Sequence, residues 1–499
     1  MNYVKGGIAP LRKGEIKEVN IESLAIGGEG VSKDFPIPIF INRVAPGDRV
    51  EVEIFDVRKS FARAHVLRII TPSPLRVEPP CPLFKVCGGC QLQHISYEQQ
   101  LIAKHNFVEQ AFKHIGGLAT DKIKPAIAAS NDLHYRNKVQ FPVKQPKNSD
   151  RILAGYYKQD SHELVNIKFC PVQSELLDDV LDVAKELCEF RRIPAYDEVA
   201  HTGVLRHIAA RHSLAHDQVL VTFVCNVKGD DLTTSFGKTL KEKMLLIADE
   251  MMSELPEVVG VGINLNSAVG NRIMSENTVT LRGVDRLEEV LSTKREDLPE
   301  HLREGIKYQL SATSFFQVNT AQAVALFEQV YDGVKSDRTN DEPVDLIIDA
   351  YAGVGAISLW LAPVAKKVIA IEEHPAAVAD GIKNAELNNI ENVEFKQASV
   401  EEALLDCVKQ GIRPDVVVVD PPRKGLTDEA RSALLELAPE RIVYVSCNPA
   451  TLARDLKIFE SGATGASYTV VQVQPVDLFP HTHHIESVTL LQRVDSSTF

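Results

Sequence analysis

The sequence has no stretch of about 18 consecutive apolar residues, which is the length that a membrane-spanning helix needs. Residues 1–8 do not include the apolar core of a signal peptide. The chain also has no internal repeat and no low-complexity tract. We therefore expect a globular, cytoplasmic protein that does not act at a membrane.

Positive charge is also scarce, because 55 Lys and Arg stand against 68 Asp and Glu, a formal net charge of -13. Binding to phosphates needs basic surface, so the total charge argues against a generic nucleic-acid binder. Residues 1–75 differ, with 11 Lys or Arg against 9 Asp or Glu, and a local basic groove stays compatible with the sequence. A chain of 499 residues is too long for one core, and we expect two to four domains.

The eight cysteines fall into separate groups, and without a secretory signal we do not expect disulfides. Three of them lie among apolar neighbours and are predicted to be buried: Cys188, Cys225 and Cys407. Another three follow the spacing Cys-x5-Cys-x2-Cys, and a fourth precedes a proline: Cys81, Cys87, Cys90 and Cys170. Four thiolates suit a [4Fe–4S] cluster or zinc, and the Cys-Pro pair favours iron. We expect a closed, structural centre.

The order of strand-like and helical patterns divides the chain into three parts. In residues 13–72, short strand-like runs alternate with turns; Val50, Val52 and Ile54 alternate with glutamates, as in a half-buried strand. This pattern predicts a small β-barrel. Residues 121–305 mix strands and helices, which predicts a central α+β domain. The strands predicted from residue 306 onward alternate with helices, which indicates a Rossmann-like α/β domain with a parallel sheet.

The segment Asp349-Ala-Tyr-Ala-Gly-Val-Gly355 lies between a predicted strand and a predicted helix. Glycines allow a tight turn and close approach of the backbone to a ligand. Glu372 ends the next strand, where an acidic residue contacts ribose hydroxyls in Rossmann-like sites. Two glycines alone fit an ordinary turn equally well. The third glycine of a dinucleotide fingerprint is missing, which favours S-adenosylmethionine over NAD.

Cys447 stands where an apolar run ends, in Ser446-Cys447-Asn448-Pro449. Ends of strands in α/β sheets face the ligand crevice, so this thiol is placed to do chemistry. Asp420 precedes two prolines, which stiffen the loop, and Glu486 supplies a carboxylate. A thiolate that adds to C6 of a uracil makes C5 nucleophilic, and a carboxylate then removes the C5 proton. Taken singly, Cys447 fits a buried structural thiol and Glu486 a surface carboxylate; their combination favours catalysis.

These motifs together resemble the RNA uracil-C5 methyltransferase family over nearly the whole chain. Ser446-Cys447-Asn448-Pro449 is similar to the family's nucleophile motif, and His484-Ile485-Glu486 to its base motif. The resemblance implies that Cys447 and Glu486 are catalytic. It implies a contact with S-adenosyl-L-methionine for these residues: Gln317, Tyr351, Glu372 and Asp420. It also implies that the following residues hold a [4Fe–4S] cluster: Cys81, Cys87, Cys90 and Cys170.

The resemblance also implies a domain order: a TRAM domain, an OB-like RNA-binding barrel, at residues 8–72; a central iron–sulfur domain at 73–305; and the methyltransferase domain at 306–499. The combination of TRAM domain and cluster is most similar to the bacterial branch that methylates 23S ribosomal RNA. We therefore expect a monomer that binds RNA and methylates C5 of a uridine in 23S ribosomal RNA through a cysteine adduct at C6.

Three alternatives stay open at this point. Some relatives that carry a TRAM domain or a cluster modify tRNA, so a tRNA uridine is a second candidate substrate. A non-catalytic iron–sulfur protein that binds RNA is another reading, against which the intact Cys447 and Glu486 argue. Methyltransferases of exocyclic amines use an aromatic residue after Asp-Pro-Pro, where this chain has Arg423.

Overall fold

The computed structural model describes residues 11–229, 233–336, 342–462 and 465–494. The three domains predicted from the sequence also include residues that lie outside these ranges, namely 8–10, 230–232, 337–341, 463–464 and 495–499. Within the described ranges, no helix combines the length and the hydropathy needed to cross a membrane.

The N-terminal region is a six-stranded sheet that curls around its own core. Its strands are β1 (Ile16–Asn20), β2 (Ser23–Leu24), β3 (Gly30–Ser32), β4 (Ile39–Ile41), β5 (Arg49–Val57) and β6 (Ala62–Thr71), in the order β1-β5-β6-β4-β3-β2. β1 and β2 follow each other closely in the chain but lie at opposite edges, so the sheet must bend round until its edges approach. Val50, Val52 and Ile54 are fully buried inside it, as their alternation predicts.

Helix α1 (Tyr97–Ala111) follows the barrel and ends in a π turn, Phe112–Gly116. Gly117 closes the turn with φ +67°, a left-handed conformation that glycine adopts without steric cost. The buried side of the helix, including Phe112, packs in one hydrophobic core with Ile442 and Tyr444 of the C-terminal sheet. Although α1 precedes the central sheet in sequence, it packs against the C-terminal sheet.

The central region contains a seven-stranded sheet with two helices on one face. Its elements are β7 (Lys138–Lys144), β8 (Leu153–Tyr157), β9 (Leu164–Asn166), α2 (Glu175–Phe190), β10 (Leu205–Ser213), β11 (Gln218–Cys225), α3 (Ser235–Glu254), β12 (Val258–Leu265) and β13 (Thr278–Gly283). The strand order is β13-β12-β11-β10-β7-β8-β9. Cys188 and Cys225 are fully buried between helices and sheet, and Cys407 is buried in the C-terminal core, which confirms the prediction for these three thiols.

A two-stranded ribbon then leads into the C-terminal sheet. The ribbon is β14 (Arg286–Leu291), α4 (Glu300–Glu304) and β15 (Ile306–Ser311). The remaining elements are α5 (Thr320–Lys335), β16 (Val344–Ala350), α6 (Ala356–Leu361), a 3-10 turn (Ala362–Val364), β17 (Ala365–Glu372), α7 (Pro375–Leu387), β18 (Val393–Gln397), α8 (Val400–Lys409), β19 (Val416–Val419), α9 (Asp428–Leu437), β20 (Arg441–Ser446), α10 (Pro449–Ser461), β21 (Tyr468–Val476) and β22 (Glu486–Arg493).

The C-terminal sheet has the order β18-β17-β16-β19-β20-β22-β21. The first five strands run parallel, and β22 lies antiparallel between β20 and β21. The chain reverses its direction of strand addition between β16 and β19, which opens a crevice at the carboxyl ends of these strands. The four valines of β19 are fully buried, because helices cover both faces of a parallel sheet.

One ion pair ties α1 to the segment between β21 and β22. Lys104 Nζ lies 2.6 Å from Asp477 Oδ1 and donates to the Phe479 carbonyl oxygen at 2.9 Å, and both charged side chains have 0% exposure. Burial lowers the pKa of Lys104, whereas the charge of Asp477 acts in the opposite direction. Because removal of one partner leaves an uncompensated buried charge, this pair fixes the position of the segment against the helix.

We expect Lys104→Met to lower the free energy of unfolding by about 3–5 kcal/mol, the range for breaking a buried pair. Urea denaturation followed by circular dichroism measures it. Lys113→Met is the control, because Lys113 is 54% exposed and lies 3.9 Å from Glu109, a pair worth about 0.2–0.5 kcal/mol. Adding Asp477→Leu to Lys104→Met should restore part of the loss. Equal effects of the two lysine substitutions would contradict this assignment.

Candidate active site

The loop after β16 lines the crevice and has an unusual backbone. Tyr351, Gly353 and Gly355 all have positive φ, of +69°, +56° and +80°. A side chain on Gly355 would bring a Cβ within 2.6 Å of the Phe395 ring, so this position needs glycine for space as well as for conformation. No atom lies within 4 Å of the position that a Cβ on Gly353 would take, so the crevice is open beside this residue.

Glu372 ends β17, the strand next to β16, and forms a hydrogen bond with this loop. Its Oε2 accepts a hydrogen bond from the Gly353 N–H at 2.9 Å, and its Oε1 accepts one from the His374 N–H at 2.8 Å. Each carboxylate oxygen has two lone pairs, so both oxygens can accept a further bond from a ligand hydroxyl. The carboxylate therefore holds the loop and still has free acceptor capacity.

Gln317 lies in a different element, the segment before α5. Its neighbour Phe316 is buried with its ring 5.1 Å from that of Tyr308. The Tyr308 hydroxyl donates to the carbonyl oxygen of Ala356, the first residue of α6, at 3.0 Å. Gln317 itself is half-buried. These contacts hold the segment beside the glycine loop.

Two carboxyl groups lie at the ends of the central strands. Asp349 is fully buried and accepts a hydrogen bond from the Ser358 hydroxyl at 2.5 Å. Burial raises the pKa of Asp349 to about 7. Removal of the Asp420 carboxyl from water, together with the charge of Asp349, raises the pKa of Asp420 to about 7 as well. Near neutral pH, the Asp349 and Asp420 carboxyl groups are therefore partly protonated. A cation bound beside them would favour the loss of these protons.

Cys447 and Glu486 are brought together by strand pairing. The antiparallel ladder between β20 and β22 runs to Ser446 opposite Ser487, so Cys447 and Glu486 are the next two residues facing each other. Burial raises the pKa of Cys447 to about 12, the charges of Glu486 and Asp420 add to this, and Arg423 opposes it. Burial, with a contribution from Asp420, also raises the pKa of Glu486 well above its usual value. Both shifts favour the protonated forms of the thiol and the carboxyl group.

Arg423 and His484 also lie at this site, and neither is among the catalytic or cofactor-binding residues predicted from the sequence. The Arg423 guanidinium donates to His484 Nε2 at 3.3 Å, and its carbonyl oxygen accepts from the Asn448 amide at 3.0 Å. Burial and the charge of Arg423 are among the causes that lower the pKa of His484 to about 3, so its ring is neutral and can accept. Arg423 lies in the motif that begins with Asp420, and His484 lies in the motif that ends with Glu486. A basic side chain beside each of these acidic residues is the sequence signal that could have identified both.

The four cysteines of the spacing motif line one cavity of about 260 Å³, together with Tyr135, Tyr156 and other residues. Burial is the largest cause that raises the pKa of Cys90 and of Cys170, each to about 12. The charges of Cys170, Cys87 and Cys81 raise the pKa of Cys90 further, so the thiols are close enough to interact. In the described part of the chain, no group of three or more His, Cys, Asp or Glu side chains could hold a metal ion as placed. The thiols surround a space and do not converge on a point.

Comparisons with known proteins agree in two regions. A family model described as tRNA (Uracil-5-)-methyltransferase matches residues 288–494, and a TRAM domain model matches residues 10–67. A protein of Bacillus cereus named as an uncharacterized RNA methyltransferase is 37% identical over 486 residues, which cover 97% of this chain and 98% of that protein. A protein of Gloeobacter violaceus with the same description is 40% identical over 485 residues, which cover 97% and 98%.

One solved structure is similar over nearly the whole chain. It is the tRNA (uracil-54, C5)-methyltransferase of Pyrococcus abyssi in complex with S-adenosyl-L-homocysteine. The TM-score is 0.71 and the sequence identity 26%, and the alignment covers 95% of this chain and 99% of that one. These similarities confirm an N-terminal TRAM domain and a C-terminal methyltransferase fold.

Proposed function

This chain belongs to the RNA uracil-C5 methyltransferase family, and from that premise we propose that it methylates a uridine of 23S ribosomal RNA through a covalent adduct between Cys447 and uracil C6. Methylation of uracil C5 in RNA with S-adenosyl-L-methionine follows from the family itself. The choice of RNA, the adduct and the roles of individual residues are our proposals. The observation that carries the adduct is the register of β20 and β22, which pairs Ser446 with Ser487 and so places the adjoining Cys447 and Glu486 close enough for their charges to interact.

The proposed reaction uses each of these two residues once. Cys447 is half-buried, so its proton has a path to water. Its sulfur then bonds to C6, and the electron pair of the C5–C6 double bond makes C5 nucleophilic. C5 takes the methyl group, and the methyl–sulfur bond of the donor breaks. Glu486 removes the C5 proton, the double bond forms again, and the bond between sulfur and C6 breaks.

Charge explains why the thiol ionises only in the loaded site. The pKa of the Cys447 thiol is high because it is buried beside Glu486 and Asp420. A positive charge that enters the crevice favours the ionised form of all three groups. Arg423 already supplies one positive charge beside these groups, and the sulfonium group of the methyl donor brings a second when it binds. The same substrate that brings the methyl group thereby promotes the thiolate.

We propose that four residues hold the methyl donor. Glu372 has free acceptor capacity for ribose hydroxyls, and Asp420 at the end of β19 gains from the positive sulfonium. Tyr351 extends from the strained turn and packs partly against the core beside the crevice. Gln317 approaches from the segment before α5. These elements converge on the end of β16, where parallel α/β sheets bind their ligands.

We expect Cys447→Ala to abolish methylation, because it removes the thiol that we propose as the nucleophile. Glu486→Gln should instead trap the methylated adduct, since the thiolate leaves only after the C5 proton is removed. Denaturing gel electrophoresis with labelled RNA measures both effects. Cys407→Ala is the control, a buried thiol of the same domain that lies outside the crevice. Methylation by Cys447→Ala would overturn the adduct.

We further propose that the central region holds a [4Fe–4S] cluster on Cys81, Cys87, Cys90 and Cys170. A cavity of about 260 Å³ bordered by four thiols fits a cluster of several atoms better than one zinc ion, since zinc needs its ligands within about 2.3 Å of one point. When bound, the cluster would supply iron–thiolate bonds that join two distant segments of the chain. The cysteines themselves take no part in methyl transfer.

Protein purified without oxygen should contain about four iron atoms per chain, the content of one [4Fe–4S] cluster. Cys90→Ser should lose most of this iron, because it removes a ligand. Cys225→Ser, at a fully buried thiol of the central core, should retain it. Iron and zinc are measured by plasma mass spectrometry. Stoichiometric zinc in place of iron, or iron that survives Cys90→Ser, would contradict this proposal.

The proposal of 23S ribosomal RNA rests on the combination of a TRAM domain with four cysteines. Transfer RNA is the second candidate, because the matching family model and the similar Pyrococcus abyssi structure are both described by tRNA. With ribosomal RNA as substrate, we propose that the protein acts as a monomer in the cytoplasm.

Mass mapping of 5-methyluridine in cells that lack the gene distinguishes the two substrates. We expect one or more positions of 23S ribosomal RNA to lose the methyl group while tRNA retains it. A plasmid with the wild-type gene should restore the modification, and one with Cys447→Ala should not. Loss from tRNA with unchanged ribosomal RNA would assign the second candidate.

A further inference from the structure

The segment that precedes Glu486 forms hydrogen bonds with the segment around Cys87 and Cys90, two of the four cysteines. We call residues 477–485 the base loop, because they join β21 to β22 and end beside Glu486. The carbonyl oxygen of His481 accepts two backbone hydrogen bonds, from the Gln91 N–H at 3.0 Å and the Leu92 N–H at 2.9 Å. The base loop thus contacts the residues directly after Cys90.

The side chain of Gln91 adds a second connection. Its Oε1 accepts from His483 Nδ1 at 3.1 Å and from the His483 N–H at 3.4 Å. Its Nε2 donates to the carbonyl oxygen of Gly88 at 2.8 Å, between Cys87 and Cys90. Burial lowers the pKa of His483, so the ring is neutral, and this contact requires the tautomer with hydrogen on Nδ1. Gln91 therefore bridges the cysteine segment and the base loop.

The wall of the cysteine cavity continues into the base loop. Thr482 lines the cavity, and Tyr135, another lining residue, donates its hydroxyl to the Pro480 carbonyl oxygen at 3.0 Å. Further along the base loop, His484 accepts a hydrogen bond from Arg423. Ile485 is buried, and Glu486 is the first residue of β22. Only two residues, His484 and Ile485, separate His483 from Glu486, so a displaced His483 displaces the start of this strand.

We infer that Gln91 is a positioning residue for the catalytic base: through His483 it sets where Glu486 stands and so couples the four-cysteine site to the last step of the reaction. This inference rests on the proposed function. Glu486 acts only after methyl transfer, when the C5 proton is removed and the bond from Cys447 to C6 breaks. A loosened base loop should therefore slow release of the methylated RNA and leave methyl transfer nearly unchanged.

The test compares two steps in one single-turnover experiment with holoenzyme and RNA. Gln91→Leu keeps the approximate size of the side chain but removes its hydrogen bonds. We expect methyl transfer to remain within about twofold of the wild type and adduct release to slow roughly tenfold, the scale on which misplaced catalytic groups act. Preparations are compared at equal iron content, so that loss of a cluster cannot imitate the effect.

Gln110→Leu is the matched control, because Gln110, in α1, also donates a side-chain hydrogen bond to a backbone carbonyl oxygen, but to that of Leu24 in the barrel. It should leave both steps unchanged. A double-mutant cycle tests the route: if Gln91 acts through His483, adding Gln91→Leu to His483→Ala should slow release little further.

The outcomes separate this inference from the proposed function. If Glu486→Gln traps no adduct, the proposed mechanism fails. If Glu486→Gln traps the adduct but Gln91→Leu releases its product at the wild-type rate, the positioning role is overturned. Equal slowing of methyl transfer and release at full iron content, or additive effects of Gln91→Leu and His483→Ala, would also overturn it.

Discussion

The buried ion pair between Lys104 and Asp477 is the constraint on which the geometry of the active site depends. Two charges with no access to water are stable only while they stay in contact, so α1 and the start of the base loop cannot move independently. Lys104 also donates to the carbonyl oxygen of Phe479, which fixes the backbone two residues further on. Because the base loop ends at Glu486, a pair outside the crevice limits where the proposed base can lie.

The crevice itself is a site whose charge depends on what it binds. Burial and crowding raise the pKa values of Asp349, Asp420, Glu486 and the Cys447 thiol together. Neighbouring acids resist ionisation because each new negative charge repels the others, and a cation relieves all of them at once. A site of this kind favours a positively charged methyl donor over its neutral product, which fits the membership of the chain in a methyltransferase family.

Local patterns predicted the elements well where a single physical rule governs them. The alternation of Val50, Val52 and Ile54 predicted a half-buried strand, and the four consecutive valines before Asp420 form a strand buried on both faces, because burial decides both patterns. The packing of α1 could not be predicted this way. Its apolar side is compatible with any core, and only the assembled fold brings Val108 and Ala111 to a sheet more than 300 residues later in the chain.

The sequence by itself determined which residues are candidates for chemistry, because a thiol at the end of a strand, a carboxylate after a strand and four spaced cysteines are properties of residue type and local order. Tertiary structure decided which of them meet. Cys447 faces Glu486 only through the antiparallel register of β20 and β22, and Gln91 reaches His483 across 392 positions of sequence. The pKa shifts likewise depend on burial and on neighbours from other strands, which no local pattern encodes.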